Sequence, residues 1–378
     1  MKQVKRFFAV LLALCLLGMP VLAAQQPQPR VLLEAAAKAV EQQQGGDPLT
    51  QADFAPGTSV TDWYALALGR AGLAKHGGDY LTRLEQYVEQ QYAASGGLDR
   101  IKATEWHRIG LTVLALGGDP TAFGKMPDGS SIDLAADGSY AWCRDTELGV
   151  QGLNAWIFAL ILLDAGNFTI PADARYQRED ILREILNSQL DDGGFNLTKN
   201  GEADADLTAM ALQALAPYQE RCGQEIEAAL GCLSALQGAD GGFQSWGTSS
   251  SESVAQAIIA LTALGIDPAQ DERFIKNGIT LPQALAAYQT ENGMFSHDDT
   301  MQPDLMATEQ AMLALEALDR LHSGRGRLYD MTDAAELTAE QSRAGMPAAA
   351  YAAIAAGVIV LAAAAVIILK RKSGRKSQ

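Results

Sequence analysis

The stretch Gln189-Leu-Asp-Asp-Gly193-Gly-Phe195 returns as Gln237-Gly-Ala-Asp-Gly241-Gly-Phe243 and again as Gln289-Thr-Glu-Asn-Gly293-Met-Phe295. All three fit Gln-x3-Gly-x-Phe, at intervals of 48 and 52 residues. Self-similarity at this period marks stacked supersecondary units that bury their apolar faces on one another. Weaker copies stand at Gln91 to Leu98 and at Asp137-Gly138-Ser139-Tyr140. Glycine supplies the positive φ that a tight turn needs. Each full copy has a helical stretch before it and an Ala-Leu-rich one after it, so the unit is helix, turn, helix.

Six such pairs follow along the chain. The first is Val31–Gln43 with Asp62–Leu73, and the second Tyr80–Tyr92 with Thr104–Leu116. The third has a weak outer member within 120–136, then Leu148–Asp164. The outer helices Glu179–Gln189, Gln224–Gln237 and Pro282–Gln289 precede inner helices Asp206–Ala216, Glu252–Leu264 and Met306–Leu321. The inner members are apolar nearly all round, which calls for burial on most sides. An open row would need polar caps at both ends; a closed ring of six pairs needs none. The expected fold is therefore all-α, an α/α toroid over residues 25–325.

The two ends read as addresses. Residues 1–24 have a basic start, a short apolar stretch and small residues for cleavage, the pattern of a secretory signal peptide. Residues 347–369 are 23 residues without a charge, long enough as a helix to cross a bilayer. Five basic residues close the chain within 370–378, which the positive-inside bias places in the cytoplasm. Residues 326–346 read as a polar spacer. The expected location is a single-pass cell membrane protein with its N-terminal domain outside and its C-terminus in the cytoplasm. The formal net charge is −16. Without the eight basic residues at the ends, 21 basic residues stand against 45 acids. Nucleic acid is thereby excluded as a partner.

The Gln-x3-Gly-x-Phe turns resemble the Gln-Trp repeats of squalene cyclases and protein prenyltransferases, with Phe in place of Trp. Asp204 to Tyr218, Ser251-Glu-Ser-Val-Ala-Gln and Met306-Ala-Thr-Glu-Gln are similar to the prenyltransferase/squalene-oxidase repeat proteins of Gram-positive bacterial surfaces, and the resemblance implies that location here. The resemblance implies a terpenoid-cyclase-like toroid, a fold that hosts unrelated functions.

The chemistry of the relatives is only partly matched. Class II terpene cyclases use the middle acid of Asp-x-Asp-Asp, and the resemblance places Asp206 there, beside Asp204, with Leu207 replacing the last acid. Helix capping competes for both residues. The Asp-x-Cys pair of the prenyltransferase zinc site does not occur, and no pair among Cys143, Cys222, Cys232 and the four histidines has zinc spacing. Cys222-Gly223-Gln224-Glu225 reverses the last two residues of a thioester motif. No metal and no cofactor are expected. The likeness to cobalamin carriers puts a corrinoid among the candidate ligands, without a counterpart of their capping domain.

A shared pattern suggests a site. Each inner helix begins with or near an acid: Asp62, Glu105, Glu147, Asp206, Glu252 and Glu309. In a toroid these starts gather at one mouth. Helix dipoles explain acids there, and a ring for a cationic or metal-bearing ligand is the alternative. Trp63, Trp106 and Trp246 lie beside them, and Gln151, Gln256 and Gln310, with Asn154, are polar residues on otherwise apolar helices. The expected function is a membrane-anchored extracellular module capturing a small molecule, glycan or protein at this mouth. The alternatives are a degenerate cyclase-like or glycan-cleaving enzyme using the mouth carboxylates, and a structural surface interaction protein.

Overall fold

A computed structural model describes residues 28–245, 247–334, 337 and 338. The expected signal peptide, the 347–369 span, the basic tail and Trp246 lie outside the described residues. Among the described residues no helix is long and apolar enough to cross a membrane.

The helices are α1 (Pro29–Gln44), α2 (Ser59–Arg70), α3 (Gly77–Ser95), α4 (Thr104–Ala115), α5 (Leu134–Gly138), α6 (Leu153–Ala165), α7 (Arg178–Leu186), α8 (Ala205–Leu215), α9 (Gly223–Leu236), α10 (Ser251–Ala263), α11 (Leu281–Ala286) and α12 (Leu305–His322). The all-α expectation needs one small addition. Two antiparallel two-residue ladders, Gln244–Ser245 with Thr248–Ser249 and Phe295–Ser296 with Pro303–Asp304, precede α10 and α12.

The even-numbered helices form the inner wall. Each packs on the next, from α2 through α4, α6, α8 and α10 to α12, and α12 returns to α2. The ring is closed. Outer helices α3, α5, α7, α9 and α11 pack on the inner helix that precedes them, and α1 packs on α12. The sequence pairing joined each outer helix to the inner helix after it; packing instead joins it to the one before. The first helix thereby covers the last, which buries the apolar face that an open row would expose.

The recurring turn has a concrete structure. The Nε2 groups of Gln189, Gln237 and Gln289 donate to the carbonyls of Gly193, Gly241 and Gly293 at 2.8, 2.8 and 3.1 Å. Those glycines have φ of +85°, +81° and +94°, a region in which a Cβ is strained. Phe195, Phe243 and Phe295 are buried. In the first and third copies the following inner helix locks the turn: Phe195 N donates to Thr208 Oγ1 and Phe295 N to Thr308 Oγ1, both at 2.9 Å. Asp204 and Asp304 cap these same helices, accepting from Leu207 N and Ala307 N.

Residues 326–334, expected as spacer, belong to the toroid. Leu328, Met331 and Ala334 are buried. Arg70, the last residue of α2, donates to the carbonyls of Leu328 and Asp330, each at 2.8 Å. Asp333 is paired with both Arg70 and Arg320. The buried guanidiniums need partners, and this segment provides them. It crosses the C-terminal ends of the inner helices and closes that end of the barrel.

Candidate functional site

The inner helices present their first two turns to one cavity of about 310 Å3. Spacing of four residues decides which side chains border it, because residues four apart share a helix face. Ser59 and Trp63 come from α2, Thr104 and Arg108 from α4, and Lys102 from the turn just before α4. Asn154 and Phe158 come from α6, and Asp206, Leu207 and Met210 from α8. Gln256 of α10 and Glu309, Gln310 and Leu313 of α12 complete the wall. Tyr329, from the segment that closes the barrel, forms the floor. Its ring centroid lies 6.4 Å from that of Trp63, which lies 5.8 Å from Phe158. Behind Tyr329 lies a small void of about 30 Å3.

The acids divide into two groups. Asp62 is fully buried and faces away from the cavity. It accepts from Gly57 N at 3.0 Å, Tyr80 Oη at 2.7 Å and Arg108 Nε at 2.9 Å. Burial pushes its carboxyl up, and Arg108 and Tyr80 oppose the shift. Glu105 is bound by Arg108 at 2.6 Å and Lys102 at 2.7 Å. Against its burial, those two cations hold its carboxyl below the usual range. Glu147 and Gln151 stand exposed on the loop before α6, which starts five residues later than the sequence pattern placed it, at Leu153. Glu147 meets Tyr176 and Arg175 on the outside of the ring. Glu252 is held by Ser250, Ser251 and His297, with His297 Nδ1 at 2.8 Å.

Asp206 and Glu309 border the cavity and have no paired cation among the described residues. Burial pushes the Asp206 carboxyl up to about 6; a hydrogen bond from Ser253 opposes this, and Asp204 and Glu252 add to it. Its Oδ1 is buried without a hydrogen-bond partner among the described residues. Glu309 is 1% exposed, and its Oε2 also lacks a partner among them. Burial, then Glu252 and Asp304, push its carboxyl well above the usual range. The mouth is therefore no ring of six anions. Arg108 and Lys102 compensate Asp62 and Glu105, and the unpaired acids, Asp206 and Glu309, are those whose carboxyls burial pushes up, Glu309 the further.

Trp106 is buried away from the cavity, donating to Tyr92 Oη at 2.7 Å and stacked edge-on with Trp142. Asp204 serves as a cap. Among the described residues the three cysteines are free.

Residues 147–266 and 224–377 match the family described as the prenyltransferase alpha-alpha toroid domain. The chain belongs to this family. Two solved structures share the toroid. One is protein geranylgeranyltransferase-I from Candida albicans complexed with GGPP, at 12% identity and a TM-score of 0.51, covering 82% of this chain and 98% of that one. The other is a variant of the type II terpene cyclase MstE from Scytonema, in complex with geranylgeranyl dihydroxybenzoate. It has 12% identity and a TM-score of 0.50, covering 78% of this chain and 98% of that one. At this identity the likeness shows the fold. No curated protein matches the chain.

In this toroid, sequence reasoning overlooked Phe158, Met210, Leu313, Arg108 and Tyr329 as site residues. The first three look like core residues on apolar helices. A signal exists for Phe158, which follows the polar Asn154 by four residues. Tyr329 has none, since its segment reads as a spacer.

Proposed function

We propose that this toroid is a binding module whose central cavity takes a small, mostly apolar, uncharged molecule. One observation carries the reading. The cavity combines an aromatic floor, Trp63, Phe158 and Tyr329, with one buried carboxyl, Glu309, pushed well above its usual range and a second, Asp206, pushed up to about 6. A cationic ligand would meet Arg108 and Lys102 in the same wall. The volume falls within the range of small-molecule pockets, roughly 300–1,000 Å3. The two solved toroids, with geranylgeranyl compounds in them, are consistent with apolar cargo in such a fold. In this reading the apolar run 347–369 anchors the module, and the signal-like residues 1–24 send it outside the cell.

The test is fluorescence titration of the protein with N-phenylnaphthylamine, an uncharged apolar probe. Saturable binding of one equivalent is expected. Met210→Trp, which fills the cavity, should abolish it while circular dichroism stays unchanged. Binding that survives this substitution would place the probe elsewhere and overturn the reading.

Asp206 favours a second reading, acid catalysis. Its carboxyl titrates at about 6, close to where a general acid is useful, and Oδ1 is unpartnered. Incorporation of deuterium from heavy water into a bound alkene, lost in Asp206→Asn, would support it.

A further inference from the structure

Three glutamines cross the inner wall as a chain. Gln213 Nε2 donates to the backbone carbonyl of Gln256 at 3.3 Å and to its Oε1 at 2.9 Å. Gln256 Nε2 donates to Gln310 Oε1 at 3.1 Å. A backbone carbonyl only accepts, so the end of Gln213 that meets Gln256 must be its amide nitrogen. That choice sets the orientation of the next two amides. The direction of the chain is thereby dictated by the main chain of α10, and its last donor, Gln310 Nε2, is left at the cavity. It has no protein acceptor among the described residues.

Next to it on α12 stands Glu309, almost wholly buried and with Oε2 unpartnered. No cation pairs with it among the described residues, and Glu252 and Asp304 disfavour its charge. In its neutral form it carries an O–H. Helix α12 thus offers two adjacent donors. Across the ring, Asn154 of α6 borders the cavity, and one end of its amide is buried without a partner among the described residues. No hydrogen bond from those residues orients that amide, so it can turn either its donor or its acceptor to a ligand. Helices α6 and α12 are three places apart in the ring of six, so the donor wall faces this amide. Buried polar atoms without partners are costly. Both sets gain partners from one ligand.

We infer that the cavity recognises an uncharged apolar molecule by a carbonyl-type oxygen docked on Glu309 and Gln310, with a second polar group at its far end docked on the Asn154 amide. The inference rests on the cavity reading above and adds the polarity of the ligand. Arg108 and Lys102, the cations of the wall, are already engaged by Asp62 and Glu105, which leaves neither free for a carboxylate-bearing molecule, and a cation is disfavoured by the two donors. A hydrocarbon would leave all three polar groups unpaired.

Two fluorophores of similar size separate these cases: Prodan, an uncharged naphthyl ketone whose carbonyl can meet Glu309 and Gln310, and N-phenylnaphthylamine, which has no carbonyl and only an N–H to offer Asn154. Prodan should bind the full-length protein about tenfold more tightly, as one to two buried hydrogen bonds allow. Its emission should be shifted to the red of its value in a dry apolar solvent, the signature of a hydrogen-bonded carbonyl. Gln310→Leu and Glu309→Leu should each lower the Prodan-to-phenylnaphthylamine affinity ratio severalfold. Glu309→Gln, which keeps a donor, should preserve it. Equal affinities with a blue Prodan emission in the unaltered protein would overturn the inference and leave the cavity reading standing. Binding of neither probe would overturn both.

Discussion

Arg70 Nη1 lies 2.7 Å from Asp333 Oδ1. The contact ties the last residue of α2 to the segment after α12, across 263 positions of chain. Arg70 is fully buried and Arg320 is 1% exposed, and both depend on Asp333. Burial opposes the charge on Asp333, but Arg320 and Arg70 hold its carboxyl below the usual range.

Asp333→Asn should therefore lower stability by roughly 2–3 kcal/mol, toward the cost of breaking a buried ion pair. Urea unfolding would measure it. A loss under about 0.5 kcal/mol, the size of a typical surface substitution, would show that the segment does not hold the barrel shut.

The repeated turn makes a graded prediction. Gln237 Nε2 satisfies the carbonyls of both Gly241 and Phe274, at 2.8 and 3.1 Å. Gln237→Ala should cost about 1–3 kcal/mol by leaving them unpaired. Gly193→Ala should be at least as damaging, because its φ is +85° and a Cβ would come within 2.6 Å of the Ala228 carbonyl. Thermal melts of the two variants, compared with an exposed-surface control such as Gln90→Ala, test this.

Asp206 and Glu309 predict the slope of stability with pH. Both have folded-state values above their ordinary ones, 3.8 and 4.5. The folded chain then holds protons that the unfolded chain has released. Their stabilising contribution is complete below about pH 4 and is lost as pH rises, for Asp206 through about 6. Glu309→Gln cannot ionise, so it should raise the melting temperature at pH 8 and have little effect at pH 4. A larger gain at pH 4 than at pH 8 would contradict the sign.

Asp62 and Trp63 are neighbours with different tasks. Asp62→Asn weakens the pair with Arg108 at 2.9 Å and should cost about 2 kcal/mol, less than a full break because Glu105 still holds Arg108. Phenylnaphthylamine affinity should stay within about twofold, a shift well under the 1.4 kcal/mol of a tenfold change. Trp63→Ala should weaken that affinity far more. Equal effects of the two on binding would remove the division.

Much of the architecture was legible because its signals are local. Gln189, Gly193 and Phe195 lie within seven residues, and their hydrogen bond, positive φ and buried ring act within one turn. The apolar character of Leu153–Ala165 announces a helix enclosed on most sides. Asp204 as a cap and Gln256 and Gln310 as cavity residues follow from a polar group next to an apolar run. Residues 326–334 misled because the anchors that bury them, Arg70 and Arg320, lie elsewhere in the chain or one helix back.

The sequence by itself determined the repeating helical hairpin, the turn chemistry and, through inner helices apolar all round, the need for a closed ring. Only the tertiary structure decided which residues meet at the centre. Consecutive helical residues point about 100° apart, so a shift of one position sends Asp62 into the wall and Trp63 into the cavity. That rotation is set by how each inner helix packs between its two neighbours, a relation among segments far apart in the chain that no local pattern encodes.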